Sequence, residues 1–230
     1  MPKATLSRRV PWVWVSCSLS LLLLLPAGCK SAKEREVQRL QARAAYEQGL
    51  TNLADNRLSL GLASLKEAVQ LDPDNAVFHN ALGVVLLDLR RPAEAQEEFQ
   101  RAVNADSNYA EARHNLGLAM AEQGRFDEAI VQYRKALSLP IYPTPEIAYY
   151  NLGRTYSQLK KPKEAEEALR AAIQLSPKLV AAYYELGVVL TGQGRRDEAR
   201  AAFRAARDLD PSSPFVPAAV QALKTLGEGG

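Results

Sequence analysis

The sequence predicts an all-α chain, a right-handed α-solenoid of about five stacked helix pairs closed by a C-terminal capping helix. Three observations predict it. Gly49, Gly83, Gly117, Gly153 and Gly187 recur at spacings of 34, 34, 36 and 34 residues. Gly61, Ala95, Ala129, Ala165 and Ala199 follow the same spacings, and Ala68, Ala102, Ala136, Ala172 and Ala206 follow them again. Self-similarity at such a period marks a chain that stacks one small helical unit so that neighbours share a continuous core.

The N-terminus comes first and reads as an address. Lys3, Arg8 and Arg9 form a positive stretch, and Val10 to Leu25 is uncharged. Pro26, Ala27 and Gly28 break the run just before Cys29. Positive charge, apolar run and small residues in that order describe a bacterial secretory signal over 1–28. The run is shorter than the ~20 residues a membrane-spanning helix needs. Leu25-Pro26-Ala27-Gly28-Cys29 also resembles a lipobox, in which the Cys29 thiol is acylated and becomes the mature N-terminus. Pro26 stands where leucine is usual, with Leu25 one place early. An ordinary signal peptide with an incidental cysteine is the alternative. Lys30, which is not aspartate, favours the outer over the inner membrane. Residues 29–41 are expected to be a tether and then the start of the first helix.

The period of 34 is that of tetratricopeptide (TPR) repeats, read here as 42–75, 76–109, 110–145, 146–179 and 180–213. The small residues belong where helices cross closely and no larger side chain fits. Leu65, Phe99, Tyr133, Leu169 and Phe203 hold one equivalent bulky position, and Leu82, Leu116, Leu152 and Leu186 precede their glycines as core residues. Pro73, Pro177 and Pro211 end second helices because proline cannot continue one. The third junction, Leu139-Pro140-Ile141-Tyr142-Pro143-Thr144-Pro145-Glu146, carries the two additional residues of the 36-residue spacing. Thr144 suits an N-cap and Pro145 the first helical position. This junction is either a neutral insertion or an elbow that bends the array or presents Tyr142 to a partner. Ser213 and Pro214 read as the start of the capping helix, Phe215 to Leu226, within a terminal segment of 214–230 whose last residues fray.

Composition narrows the function classes. Apolar residues make up 47% and charged residues 24% of the chain, as in a folded protein. Lys3, Arg8 and Arg9 account for the whole net charge of +3, so the remainder is neutral and lacks a nucleic-acid footprint. Cys17 and Cys29 are the two cysteines, both N-terminal, so no disulfide framework holds the repeats. His79 and His114 form no metal-spaced cluster, and no Gly-rich phosphate loop is present. Glu97-Glu98 and Glu166-Glu167 are adjacent on helices and read as solvated surface. Nothing assembles a nucleophile, a base and an oxyanion donor, so the expectation is no enzyme, no cofactor, no metal and no small-molecule substrate.

Partner binding falls to the first helices, which line the concave face of a TPR array. The positions three and two residues before each ladder glycine supply Tyr46 and Glu47, Asn80 and Ala81, His114 and Asn115, Tyr150 and Asn151, and Tyr184 and Glu185. Asn115 and Asn151 can clamp a peptide backbone through donor and acceptor together. Tyr46, Tyr150 and Tyr184 offer amphipathic contact area, and Arg154 adds a central charge. The lysine and asparagine set with which cochaperone TPR domains hold a carboxylate is absent: its positions here are Tyr46, Leu50, Asn80 and His114.

A lipobox followed by such repeats, with the proline-tyrosine junction leading into Asn151-Leu152-Gly153, resembles the type IV pilus pilotin lipoproteins. That resemblance implies an outer-membrane lipoprotein on the periplasmic face that binds secretin subunits and helps them localise and form multimers. Two further readings stand beside it. One is a general periplasmic TPR adaptor for cell-envelope assembly or peptidoglycan enzymes; the other is a noncovalent regulatory subunit of an envelope enzyme.

Overall fold

The computed structural model describes residues 31–227. Among these it holds eleven helices: α1 (Ala32–Ala54), α2 (Leu58–Leu71), α3 (Ala76–Asp88), α4 (Pro92–Ala105), α5 (Ala110–Glu122), α6 (Phe126–Leu137), α7 (Pro145–Gln158), α8 (Pro162–Leu175), α9 (Val180–Gly192), α10 (Arg196–Leu209) and α11 (Val216–Thr225). Odd helices pair with the even helices that follow them. Each even helix then touches the next odd one, so the pairs stack in chain order and α11 closes the end. The signal segment and Cys29 lie outside the described residues. No helix among the described residues is long and apolar enough to cross a membrane.

The ladders set the packing. A Cβ on Gly83 would lie 2.6 Å from the Phe99 ring, on Gly153 2.6 Å from Leu169, and on Gly187 2.6 Å from Phe203. The bulky residue of each second helix therefore seats in the notch left by the glycine of its own first helix. Those fillers are buried, as are the alanines Ala68, Ala102, Ala136, Ala172 and Ala206 that face the next repeat. The fillers and, Ala136 apart, the alanines belong to one continuous core along the array.

Every first helix ends the same way. In repeat two the Arg90 amide bonds the Leu87 carbonyl at 2.9 Å and the Arg91 amide bonds Leu86 at 2.9 Å. This is a Schellman cap, which needs a left-handed residue after the helix. Gly124 and Gly194 fill that position with φ of 76°, whereas Asn56, Arg90 and Lys160 adopt it at φ of 59°, 59° and 55° despite their Cβ. The following arginine then forks onto a glutamate three residues later, as Arg91 does on Glu94 and Arg125 on Glu128. These second helices start on an ion pair where a serine or aspartate cap is absent.

Four expectations need correction. The tether is absent from the described part: Ser31 and Glu34 form a reciprocal capping box, so α1 is helical from Ala32 and runs 23 residues. Thr144 makes no side-chain cap bond, although Pro145 opens α7 as expected. Ser213 and Pro214 lie in a turn, and the last helix starts at Val216 with Pro217 in its first turn. Two prolines compete for that place, and the packing of Phe215 against Tyr184, ring centroids 5.6 Å apart, favours the later one. Glu98 and Glu166 are not solvated surface, unlike their exposed neighbours Glu97 and Glu167. Glu98 accepts from His79 at 2.6 Å. Glu166 accepts from Arg195 at 2.6 Å and Gln193 at 3.0 Å, tying repeat five to repeat four. Gln123 and Arg125 reach back to Gln96 in the same manner, at 2.8 and 2.6 Å.

Candidate functional site

The first helices lie side by side, α3 touching α5, α5 touching α7 and α7 touching α9. Clefts open along them. One lies between α1 and α3 above Tyr46, Val77 and Phe78. The next lies between α3 and α5 over Val84, Asn115 and Leu118, and a third between α5 and α7 beside Leu118, Asn151 and Arg154. Leu118 lines both central clefts, so they merge into one trough on the face the sequence assigned to partners.

The polar residues chosen from the sequence hold this wall together. Asn115 donates to the Asn80 side-chain oxygen at 3.0 Å, and Asn80 donates to the Tyr109 hydroxyl at 3.2 Å. Asn151 donates to Nε2 of His114 at 2.8 Å. Each asparagine thus reaches from its own repeat to the residue three before the glycine of the preceding repeat. Asn115 and Asn151 are staples between repeats; Asn115 also lines the trough, while Asn151 is buried. The expectation that both are open to clamp a peptide backbone fails for Asn151, because its amide satisfies a buried imidazole.

His114 is likewise buried, 7% exposed, and stacks beside Tyr133 with ring centroids 5.5 Å apart. Burial lowers its pKa to about 4, so the ring is neutral and Nε2 accepts from Asn151. His114 therefore belongs to the core, not to the trough surface. Tyr142 is corrected in the same way. Its ring turns inward, 6.1 Å from that of His114, and its hydroxyl is buried. The side chain the elbow presents is Ile141, 79% exposed.

The remaining aromatic residues divide. Tyr46 stacks on Phe78 at 4.8 Å and floors the first cleft. Tyr150 is half-buried beneath the Arg154 guanidinium, 5.7 Å from its ring centre, and Arg154 also pairs with Glu185 at 3.5 Å. Burial raises the Glu185 pKa, and Arg154 only partly opposes that shift. Tyr184 gives its ring to Phe203 and Phe215, docking the cap. His79 is buried between the Glu98 carboxylate and the Pro73 carbonyl, 2.8 Å from the latter. Burial opposes its charge, but those two acceptors outweigh it and hold its pKa above the ordinary value.

Sequence reasoning missed the apolar residues of the central clefts, Val84 and Leu118. The signal was available, because each stands one position after a ladder glycine, in the register of Arg154. Among the described residues no three His, Cys, Asp or Glu side chains are grouped to hold a metal.

Stacked helix pairs with a trough along their first helices define a TPR scaffold, the fold of protein-interaction adaptors. The family model described as tetratricopeptide repeat matches residues 80–144 and 149–214, and the chain belongs to that family. Over 151 residues it is 32% identical to the type IV pilus assembly protein PilF of Pseudomonas aeruginosa, a match covering 65% of this chain and 60% of PilF. The solved PilF structure superposes with a TM-score of 0.72 at 25% identity, over 85% of this chain and 87% of that one. PilW, described as a widely conserved type IV pilus biogenesis factor, shares the fold with a TM-score of 0.74 at 22% identity, over 82% and 87% of the two chains. MamA is similar at a TM-score of 0.65 and 26% identity, over 74% and 92%.

Proposed function

We propose that this protein is a lipid-anchored TPR assembly factor of the type IV pilus, attached through Cys29 to the periplasmic face of the outer membrane. In this reading its trough binds secretin subunits and promotes their localisation and multimerisation. The likeness to PilF carries the proposal, since it holds in sequence over 151 residues and in structure at a TM-score of 0.72. The chemistry supports it: the trough offers extended apolar and polar contact area, and several acyl chains on Cys29 would anchor stably where one binds marginally.

The test is a deletion strain assayed for heat-stable secretin multimers in outer-membrane fractions and for surface pili, beside a Cys29→Ala strain. Loss of multimers on deletion, and release of the variant from membranes, are the expected outcomes. Normal multimers and pili in the deletion strain would overturn the proposal. They would favour a general periplasmic adaptor for cell-envelope assembly or peptidoglycan enzymes.

A further inference from the structure

Given the partner-binding role proposed above, the trough's side chains determine the charge of what can lie in it. Its floor is aliphatic. Val84, 39% exposed, and Leu118 line the central clefts, and Leu50 and Val188, in the same register on α1 and α9, are 43% and 40% exposed. Aliphatic side chains left open along one face mark a surface that a partner covers.

Charge restricts the partner. Of the arginines lining the clefts, Arg43 pairs with Glu47 at 2.9 Å, Arg90 with Glu122 at 3.7 Å and Arg154 with Glu185 at 3.5 Å, while Arg39 shares the first cleft with Asp72 and Asp74. Asp88, in the central cleft, and Glu111 have no ion-pair partner among the described residues. Glu111 stands six residues before Gly117, the register that Arg43 and Val77 hold before their own glycines. Asp88 and Glu122 are the last residues of α3 and α5, where outward carbonyls add negative potential. An acidic segment laid over the central cleft would meet Asp88 unpaired, with Arg90 there already paired to Glu122. A basic one would neutralise Asp88.

We infer that the trough takes a partner segment in polyproline-II conformation, with an aliphatic side chain at every third position and lysine or arginine between them. Packed helices lie ~8–10 Å apart, and one three-residue turn of polyproline II rises ~9 Å and returns a side chain to the same face. An aliphatic residue at every third position therefore meets successive rungs of the floor, and basic residues between them reach Asp88 and Glu111.

The test uses two fluorescein-labelled dodecapeptides with leucine at every third position and alanine elsewhere, interspersed with lysine in one and glutamate in the other. Anisotropy against the purified protein at low salt should show the lysine peptide binding at least ~10-fold tighter, with the gap closing as salt screens the charges. Asp88→Lys with Glu111→Lys should invert the preference, and Val84→Ser should weaken both peptides; circular dichroism checks that each variant remains folded. Equal binding of the two peptides, tighter binding of the glutamate peptide, no binding, or a preference unmoved in the double variant would each overturn the inference. Secretin multimers scored in cells keep the two claims apart. An inverted preference with normal multimers in the deletion strain leaves this inference standing and removes the functional reading. Lost multimers with no peptide preference do the reverse.

Discussion

Replacing Gly117 by alanine adds one carbon to a helix interior, where alanine ordinarily gains about 1 kcal/mol over glycine. The structure predicts the opposite sign. The new Cβ would lie 2.8 Å from Cε1 and 2.9 Å from Cδ1 of Tyr133, and 3.1 Å from the Ala129 carbonyl oxygen. Neither neighbour can yield easily. Tyr133 is fully buried with His114 packed at 5.5 Å, and the carbonyl belongs to the backbone of α6. Overpacking of this kind costs ~1–3 kcal/mol, so after the ~1 kcal/mol propensity gain the net change should be a loss of up to about 2 kcal/mol, and Gly117→Leu should lose more. Gly192→Ala is the control, because it is also helical and nothing lies within 4 Å of its added Cβ. Urea unfolding followed by circular dichroism measures both. For a chain of this size each 1 kcal/mol moves the thermal midpoint by about 2–4 °C. If Gly117→Ala stabilised the protein as the control does, the notch-and-filler account of the repeat would be wrong.

Three further outcomes follow from the same packing. His114 has a folded pKa of about 4 against 6.5 unfolded, so between those values only the unfolded chain takes up its proton. Stability should fall on acidification through that window by about 3 kcal/mol, and His114→Gln should flatten that slope in denaturant titrations; an unchanged slope would refute the buried neutral ring. His79 acts with the opposite sign, its contribution being complete below 6.5 and lost as pH rises through its elevated folded pKa, so it does not mimic the effect. Asn151→Ala strands a buried imidazole nitrogen and should cost ~1–3 kcal/mol, against ~0.5–1.5 for the half-exposed Asn115→Ala; equal effects in urea melts would contradict their different burial. Arg90→Gly and Lys160→Gly remove a Cβ from left-handed backbone, which costs ~1–2 kcal/mol there, and after the entropy penalty of glycine each should stabilise by about 0.5–1 kcal/mol. A lower melting temperature for both would refute the cap assignment.

The sequence by itself determined the helical pairing, its register and the residues that fill the core. These follow from a local rule repeated every 34 residues: a notch needs a glycine, and its filler needs bulk, whatever lies further along the chain. Gly83 with Phe99 and Gly187 with Phe203 were legible for that reason. The reach of a side chain across a repeat boundary is not written in that period. His114 and Asn80 share one register position, yet one is buried and the other half-exposed. The difference comes from what packs on each: the elbow at the end of its own repeat folds Tyr142 over His114, and Asn151 of the next repeat reaches back to its nitrogen. Likewise Glu98 and Glu166 read as surface until His79 and Arg195, supplied by other helices, enclose them. Only the stacked structure decided which polar residues became staples and which aliphatic residues remained open in the trough, because burial is set by neighbours that are distant in the chain.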